Sequence, residues 1–341
     1  MIKFEKLLDN YSYELPKELI AQNPSFPRDS AKLLVYNRKK NQVFFDIFKN
    51  IGKYIPKNSV LVFNQTKVVP ARLNAFKETD GKVEIFYIGR EKTTIKFIAN
   101  RKLQKGSKVF LNKKTFFTVI SQKEQFYFLK PSFPLSQTLK ILNKFGVTPL
   151  PPYIKNSKLS EKQKRKQYQT VFAKTGSSVA APTASLHFTK ELIQSLKKQG
   201  VEILNVNLDV NLGTFAPLKP ENIRAKKLHT ENYWVEDKVY LALLKAKSQK
   251  RPILAVGTTV VRTLESVFKT NKQIGSTNLF INEKTPLKIV NSLITNFHVP
   301  KSSLLMLVSA FTGRKKLLEL YQKAIKKRLR FFSFGDAMLI V

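Results

Sequence analysis

"RPILAVGTTVVRTLESVF", residues 251–268, holds a short apolar run, a glycine-threonine turn and then apolar residues at helical spacing. The run reads as a buried strand. Gly257, Thr258 and Thr259 end it and open a helix at once, and either threonine can cap that helix. The same strand-turn-helix form returns in "SLITNFHVPKSSLLMLVSAF", residues 292–311. Just upstream, "TKELIQSLKKQG" (189–200) predicts a helix with Thr189 as N-cap, Leu192, Ile193 and Leu196 on one face, and Gly200 as its stop. That helix feeds "VEILNVNLDVNLGTF" (201–215), where Val206, Leu208 and Val210 alternate with Asn205, Asn207 and Asp209. One strand face is apolar and the other polar. Strands alternating with helices predict an α/β domain.

From about 81 to 130 the pattern changes. "GKVEIFYIG", "TTIKFIANR", "SKVFLN", "TFFTVIS" and "QFYFLK" follow one another at roughly ten-residue spacing, with short polar turns and no helix between them. This predicts a small antiparallel barrel or sandwich. "LVFNQTKVVPARL" (61–73) leads in, and "FGVTPLPPYI" (145–154) leads out through a connector stiffened by Pro149, Pro151 and Pro152. The expected architecture is therefore a discontinuous α/β domain, residues 1–60 and 149–341, holding an inserted antiparallel β-barrel at 61–148. The basic stretch "KLSEKQKRKQ" (158–167) is expected to be a mobile surface loop.

Composition narrows the chemistry. The 341 residues include no cysteine and only three histidines, at 187, 229 and 298. Disulfides, thiolate metal sites and a cysteine nucleophile are excluded, and the histidines lack metal-ligand spacing, so no metal is expected. There is no signal-peptide pattern and no apolar run long enough to span a bilayer, which points to a cytoplasmic protein away from membranes. Sixty-one Lys and Arg against 23 Asp and Glu give a formal charge of +38. That excess predicts a polyanionic partner, with nucleic acid first. Lysine spread over solvated faces by a biased composition is the competing explanation.

Two of the three histidines, His187 and His298, stand in turns that lead into helices, as do Gly257 to Thr259. In α/β sheets ligands bind beyond the carboxyl ends of strands, where helix N-termini offer free amides. These histidines therefore sit where a ligand would sit, unless each only satisfies backbone groups in its turn. There is no GxxxxGK[ST] loop and no GxGxxG, which disfavours a conventional nucleotide fold. Arg262 lies within reach of the same turn, although Glu265, three residues on, is its expected partner. Asp209, Glu84, Glu231 and Asp336 are the carboxylates available to a cationic ligand.

Ordered pieces along nearly the whole chain resemble the S-adenosylmethionine:tRNA ribosyltransferase-isomerase family of queuosine biosynthesis. They include "ELPKELIAQNPSFPRDSAKLLV" (14–35), "LVFNQTKVVPARL", "YQTVFA" (168–173), "AAPTASLHFT" (180–189), "GTFAPL" (213–218), "LHTENY" (228–233), "AVGTTVVRTLES" (255–266), "LITNFHVPKSSLLMLVSAF" and "FFSFGDAMLI". The resemblance implies an α/β domain with an inserted barrel and an active site between them. It also implies transfer and isomerisation of the ribosyl part of S-adenosylmethionine onto 7-aminomethyl-7-deazaguanine at the tRNA wobble position. The products are epoxyqueuosine, adenine and methionine. S-adenosylmethionine enters as co-substrate, no bound cofactor or metal is implied, and a monomer is expected.

Such chemistry needs a base for the carbon beside the sulfonium, an acid for departing adenine and a base for the attacking amine. His187, His298, Asp209 and Glu231 are the candidate catalytic residues, the histidines as acid and base and the carboxylates on cationic groups. Thr258, Thr259, Arg262, His229 and Lys301 are the candidate substrate-binding residues. The chain departs from the family pattern at Ser185, where a glycine is usual, at Asp209 for a histidine, at Asn211 for a glycine, and at Gln65 and Lys67 for Asp and Arg. A catalytically lapsed tRNA-binding homologue is thus one alternative, and an S-adenosylmethionine-dependent RNA methyltransferase is another. The three histidines within matched motifs disfavour the first, and the absent glycine loop disfavours the second.

Overall fold

A computed structural model describes residues 2–211 and 218–341. Most of the "GTFAPL" motif therefore lies outside the described residues. Among those described, nine strands form one sheet in the spatial order Ile274–Leu279, Lys227–Trp234, Glu202–Leu208, Val60–Asn64, Ile253–Val256, Ser292–Asn296, Ala337–Ile340, Lys32–Asn37 and Gln42–Ile47. Glu202–Leu208, Val60–Asn64, Ile253–Val256 and Ser292–Asn296 run parallel; the two strands beyond Glu202–Leu208 pair antiparallel, and on the other side Ala337–Ile340 is antiparallel to Ser292–Asn296 but parallel to Lys32–Asn37, which pairs antiparallel with Gln42–Ile47.

Period-two alternation divides the central strands between two cores. Val60, Val62, Ile253, Ala255, Val206 and Leu208 enter one core with helices Asp237–Ser248, Thr258–Thr270 and Ser303–Thr312. Leu61, Phe63, Leu254 and Val256 enter the other with helix Lys190–Lys198. Helices on both faces of a largely parallel centre are the α/β arrangement that the sequence predicts. Thr189 caps its helix by accepting from the Leu192 amide, as expected.

The second sheet is antiparallel throughout, in the order Gly146–Val147, Arg72–Lys77, Lys82–Glu91, Thr94–Ala99, Phe126–Pro131, Thr115–Lys123 and Lys108–Asn112. Arg72–Lys77 also pairs with Lys108–Asn112, and this contact closes six strands into a barrel. Leu73, Ile85, Ile95, Phe97, Val109, Phe117 and Leu129 fill its interior.

Two expectations need correction. Val60–Asn64 does not begin the barrel: all five of its residues are buried and it pairs in parallel with Glu202–Leu208 and Ile253–Val256. The barrel sheet starts at Arg72 rather than at 61. The stretch at 158–167 is not an unstructured loop, because Glu161–Gln167 is a helix. Ser160 and Gln163 form a reciprocal capping box, and Glu161 pairs with Arg165 one turn on at 3.0 Å. Two local devices thus hold a highly charged helix.

Candidate active site

The carboxyl ends of Ile253–Val256 and Ser292–Asn296 open into a cleft with about 860 Å³ of space free of protein atoms, part of it open to solvent. Gly257 makes the turn at the first strand with φ of 95°, a value that favours glycine. The helix that follows presents Thr258 and Thr259 to the cleft, along with first-turn amides that no carbonyl of the helix can reach. Both side chains are buried, and the Thr259 Oγ1 has no hydrogen-bond partner among the described residues.

From the second strand come Thr295, Asn296 and His298. The His298 Nε2 lies 2.8 Å from Thr295 Oγ1. Its backbone is fixed at both ends: its amide donates to the Tyr321 hydroxyl at 2.9 Å, and its carbonyl accepts from the Tyr13 hydroxyl. Burial lowers its pKa to about 4, so the ring is neutral near pH 7 and available to accept a proton. Tyr153 and Phe332 add aromatic surface, their ring centroids 4.8 Å apart. Phe332 holds φ of 70°, a backbone state that costs a bulky residue about 1–3 kcal/mol and persists only where its surroundings enforce it.

His187 is not on the cleft surface. It is 5% exposed, with Phe48 tilted against its ring at 5.0 Å, and it contacts the cleft-lining Asn296, whose Nδ2 is 3.2 Å from His187 Nε2. An amide nitrogen can only donate, so Nε2 accepts and the imidazole is neutral. Burial first, then the nearby Arg330 charge, lower its pKa to about 3. The contact fixes Asn296, whose buried Oδ1 has no partner and belongs to a cleft-lining residue. His187 thus contacts a cleft-lining residue and does not itself line the cleft.

A pH prediction follows from that burial. The folded-state pKa lies below the ordinary 6.5, so stability is complete above 6.5 and falls as the pH drops from 6.5 toward 3. Between pH 7 and 5 this one group removes about 2 kcal/mol, at about 1.4 kcal/mol per unit. Urea unfolding of the wild type and of His187→Asn at both pH values measures it. Equal losses in the two proteins would show that His187 protonates freely in the folded state.

The other expected site residues lie elsewhere. Arg262 is 6% exposed and bonds to Glu231, to the carbonyls of Leu279 and Thr277 at 3.3 Å, and to that of His229 at 3.4 Å. It braces the helix Thr258–Thr270 against the sheet edge, so the expected anion-binding role is replaced by a structural one. Its partner is Glu231, not Glu265, which instead accepts from the amides of Lys288, Ile289 and Val290. Glu231 also accepts from the Asn211 amide at 3.2 Å, holding the chain where it enters the "GTFAPL" segment.

His229 is exposed beside this pair, in a small pocket that shares Leu304 with the main cleft. Lys301 points away from the cleft residues, pairing with Asp9 at 2.7 Å. Asp209 lines a different cavity, although its neighbour Val210 lines the main cleft. Of the remaining carboxylates, Asp336 is buried as an acceptor for the Lys32 and Arg330 amides, and Glu84 pairs with Arg72 on the barrel surface. Sequence reasoning missed Asn296, Tyr153 and Phe332. Only Asn296, two residues before His298 at a strand end, carried a local signal.

Among the described residues no three His, Asp or Glu gather as a metal site, and no helix is long and apolar enough to cross a membrane.

Comparison with known proteins agrees with this architecture. A family model described as "Queuosine biosynthesis protein" matches residues 8–340. The S-adenosylmethionine:tRNA ribosyltransferase-isomerase of Carboxydothermus hydrogenoformans is 46% identical over 98% of this chain and 99% of its own length. The protein of the same name from Sulfurihydrogenibium sp. is 44% identical over 98% of this chain and 99% of its own. A crystal structure of S-adenosylmethionine tRNA ribosyltransferase from Thermotoga maritima aligns at 34% identity with a TM-score of 0.56, covering 97% of this chain and 100% of that one. With a match this long and relatives this similar, the chain belongs to the queuosine biosynthesis protein family.

Proposed function

We propose that this chain is an S-adenosylmethionine:tRNA ribosyltransferase-isomerase. It moves the ribosyl part of S-adenosylmethionine onto 7-aminomethyl-7-deazaguanine at the tRNA wobble position, forming epoxyqueuosine and releasing adenine and methionine. The observation that carries the reading is a neutral His298 in a cleft whose walls hold two buried, unpartnered oxygens, Thr259 Oγ1 and Asn296 Oδ1. Unpaired buried polar atoms cost about 1–3 kcal/mol each, a cost that a polar ligand filling the cleft relieves.

In this reading His298 takes the proton from the carbon beside the sulfonium. The imidazolium so formed can then protonate departing adenine. The first-turn amides at Thr258 and Thr259 favour the methionine carboxylate. Tyr153 and Phe332 offer the adenine an aromatic wall. The net charge of +38 draws tRNA to the protein. The chain acts as a monomer in the cytoplasm, consuming S-adenosylmethionine as co-substrate without a further cofactor or metal.

Incubation with S-adenosylmethionine and tRNA bearing 7-aminomethyl-7-deazaguanine tests this directly. Mass spectrometry of the nucleosides should show epoxyqueuosine, with adenine released in equal amount. Binding of the tRNA with neither product would support the lapsed homologue instead.

A further inference from the structure

We propose that the polar face of strand Glu202–Leu208, continued by Asp209, forms with its edge neighbours a second site that binds an unpaired guanine-type base of RNA. The strand's other face, Val206, Leu208 and Val210, belongs to the main core. Side chains two residues apart share a face, so Asn207 and Asp209 both point away from that core. Across the sheet Asn207 is in register with Trp234, and Trp234 with Ile274. One step along, the Asp209 amide donates to the Asn232 carbonyl. Together with Thr175 and Gly176 these residues line a cavity with about 960 Å³ of free space, separate from the main cleft.

Three features suit a base. Trp234, the single tryptophan, is 40% exposed at the cavity and can stack a heterocycle. Asn207 is only 8% exposed; its Oδ1 accepts from Thr175 Oγ1 at 3.2 Å, yet its Nδ2 has no partner. Asp209 is held through Oδ1 alone, by Thr66 Oγ1 at 2.9 Å and the Ser177 amide at 3.2 Å. That arrangement requires Gly176, because a Cβ there would lie 2.5 Å from Thr66 Oγ1 and 2.7 Å from Asp209 Oδ1.

A carboxylate oxygen beside an amide donor complements guanine: the N1–H and N2–H₂ groups donate to the carboxylate and O6 accepts from the amide. Adenine would set its N1 lone pair against the carboxylate, and cytosine its N3. The cavity is separate from the cleft assigned to the reaction above, so the base it takes is a guanine of the tRNA other than the one being modified. The inference rests on that reading for RNA as the source of the base, whereas the edge chemistry does not depend on it.

Because Trp234 is the sole tryptophan, its fluorescence, excited at the red edge where tyrosine does not absorb, reports on this site. The titration uses two RNA hairpins, identical except for one loop position carrying guanine or adenine, with GMP and AMP as free nucleotides. The expected result is quenching by the guanine hairpin at about 10-fold or more lower concentration than by the adenine hairpin, and at lower concentration than by GMP. Asp209→Asn, which keeps the shape and removes the charge, should erase the guanine preference while the hairpins still bind. The proposal fails if both hairpins quench alike, if neither quenches while both bind, or if Asp209→Asn keeps the preference. Quenching by GMP without quenching by the guanine hairpin would mark a free-nucleotide site and overturn the RNA assignment. Turnover is not read, so failure here leaves the catalytic reading standing, and a ribosyl-transfer assay that gives no product while the tRNA still binds leaves this one standing.

Discussion

Replacing His298 with alanine is expected to lower turnover by about 10²- to 10⁴-fold while tRNA affinity stays unchanged. The side chain is the neutral imidazole at the cleft, and its backbone is anchored independently by Tyr13 and Tyr321. Losing the ring should therefore remove a proton acceptor without moving the turn. Affinity should persist because phosphate contacts by many Lys and Arg dominate RNA binding. The lowered pKa adds a second signature. Between pH 7.5 and 5.5 turnover per folded enzyme should stay flat, whereas an ordinary histidine acting as base would lose about tenfold. Single-turnover kinetics with enzyme in excess over tRNA, beside filter binding, separates the two effects. A variant that keeps near-normal turnover would exclude His298 as the proton acceptor.

The second large effect concerns folding. Arg262→Ala is expected to destabilise the protein by about 3–5 kcal/mol, because it removes the buried guanidinium that pairs with the Glu231 carboxylate, 2% exposed. Arg262→Lys should recover little, since one ammonium cannot span Glu231 and three carbonyls as the guanidinium does. The double variant Arg262→Met, Glu231→Gln should regain much of the loss, because no unpaired charge then remains buried. Urea denaturation of the four proteins measures this. A loss below about 1 kcal/mol in Arg262→Ala would place the pair in the solvent-screened class instead.

Much of this protein was legible locally. The turn at Gly257 to Thr259 could be read because a strand, a positive-φ glycine and a helix start leave their marks within a few residues. The faces of 205–210 could be read because a period of two sorts Val206, Leu208 and Val210 from Asn207 and Asp209. Val60–Asn64 was misplaced for the opposite reason: four apolar residues in a row say that a strand is buried but not which sheet buries it. At 158–167 the capping residues Ser160 and Gln163 were present in the sequence, but the charge run concealed them.

The site divides along the same line. Spacing alone was enough to place His298 and the two threonines at strand-to-helix turns, because secondary structure is written in short-range pattern. The assembled fold was needed to see that His187 contacts Asn296, that Arg262 is spent on Glu231 rather than Glu265, and that Asp209 faces a different cavity from Val210. Those pairings join residues 109, 31 and 32 positions apart, as in His187 with Asn296, Arg262 with Glu231 and Asp209 with Ser177. The order in which strands assemble into a sheet sets such distances, and no local pattern encodes that order.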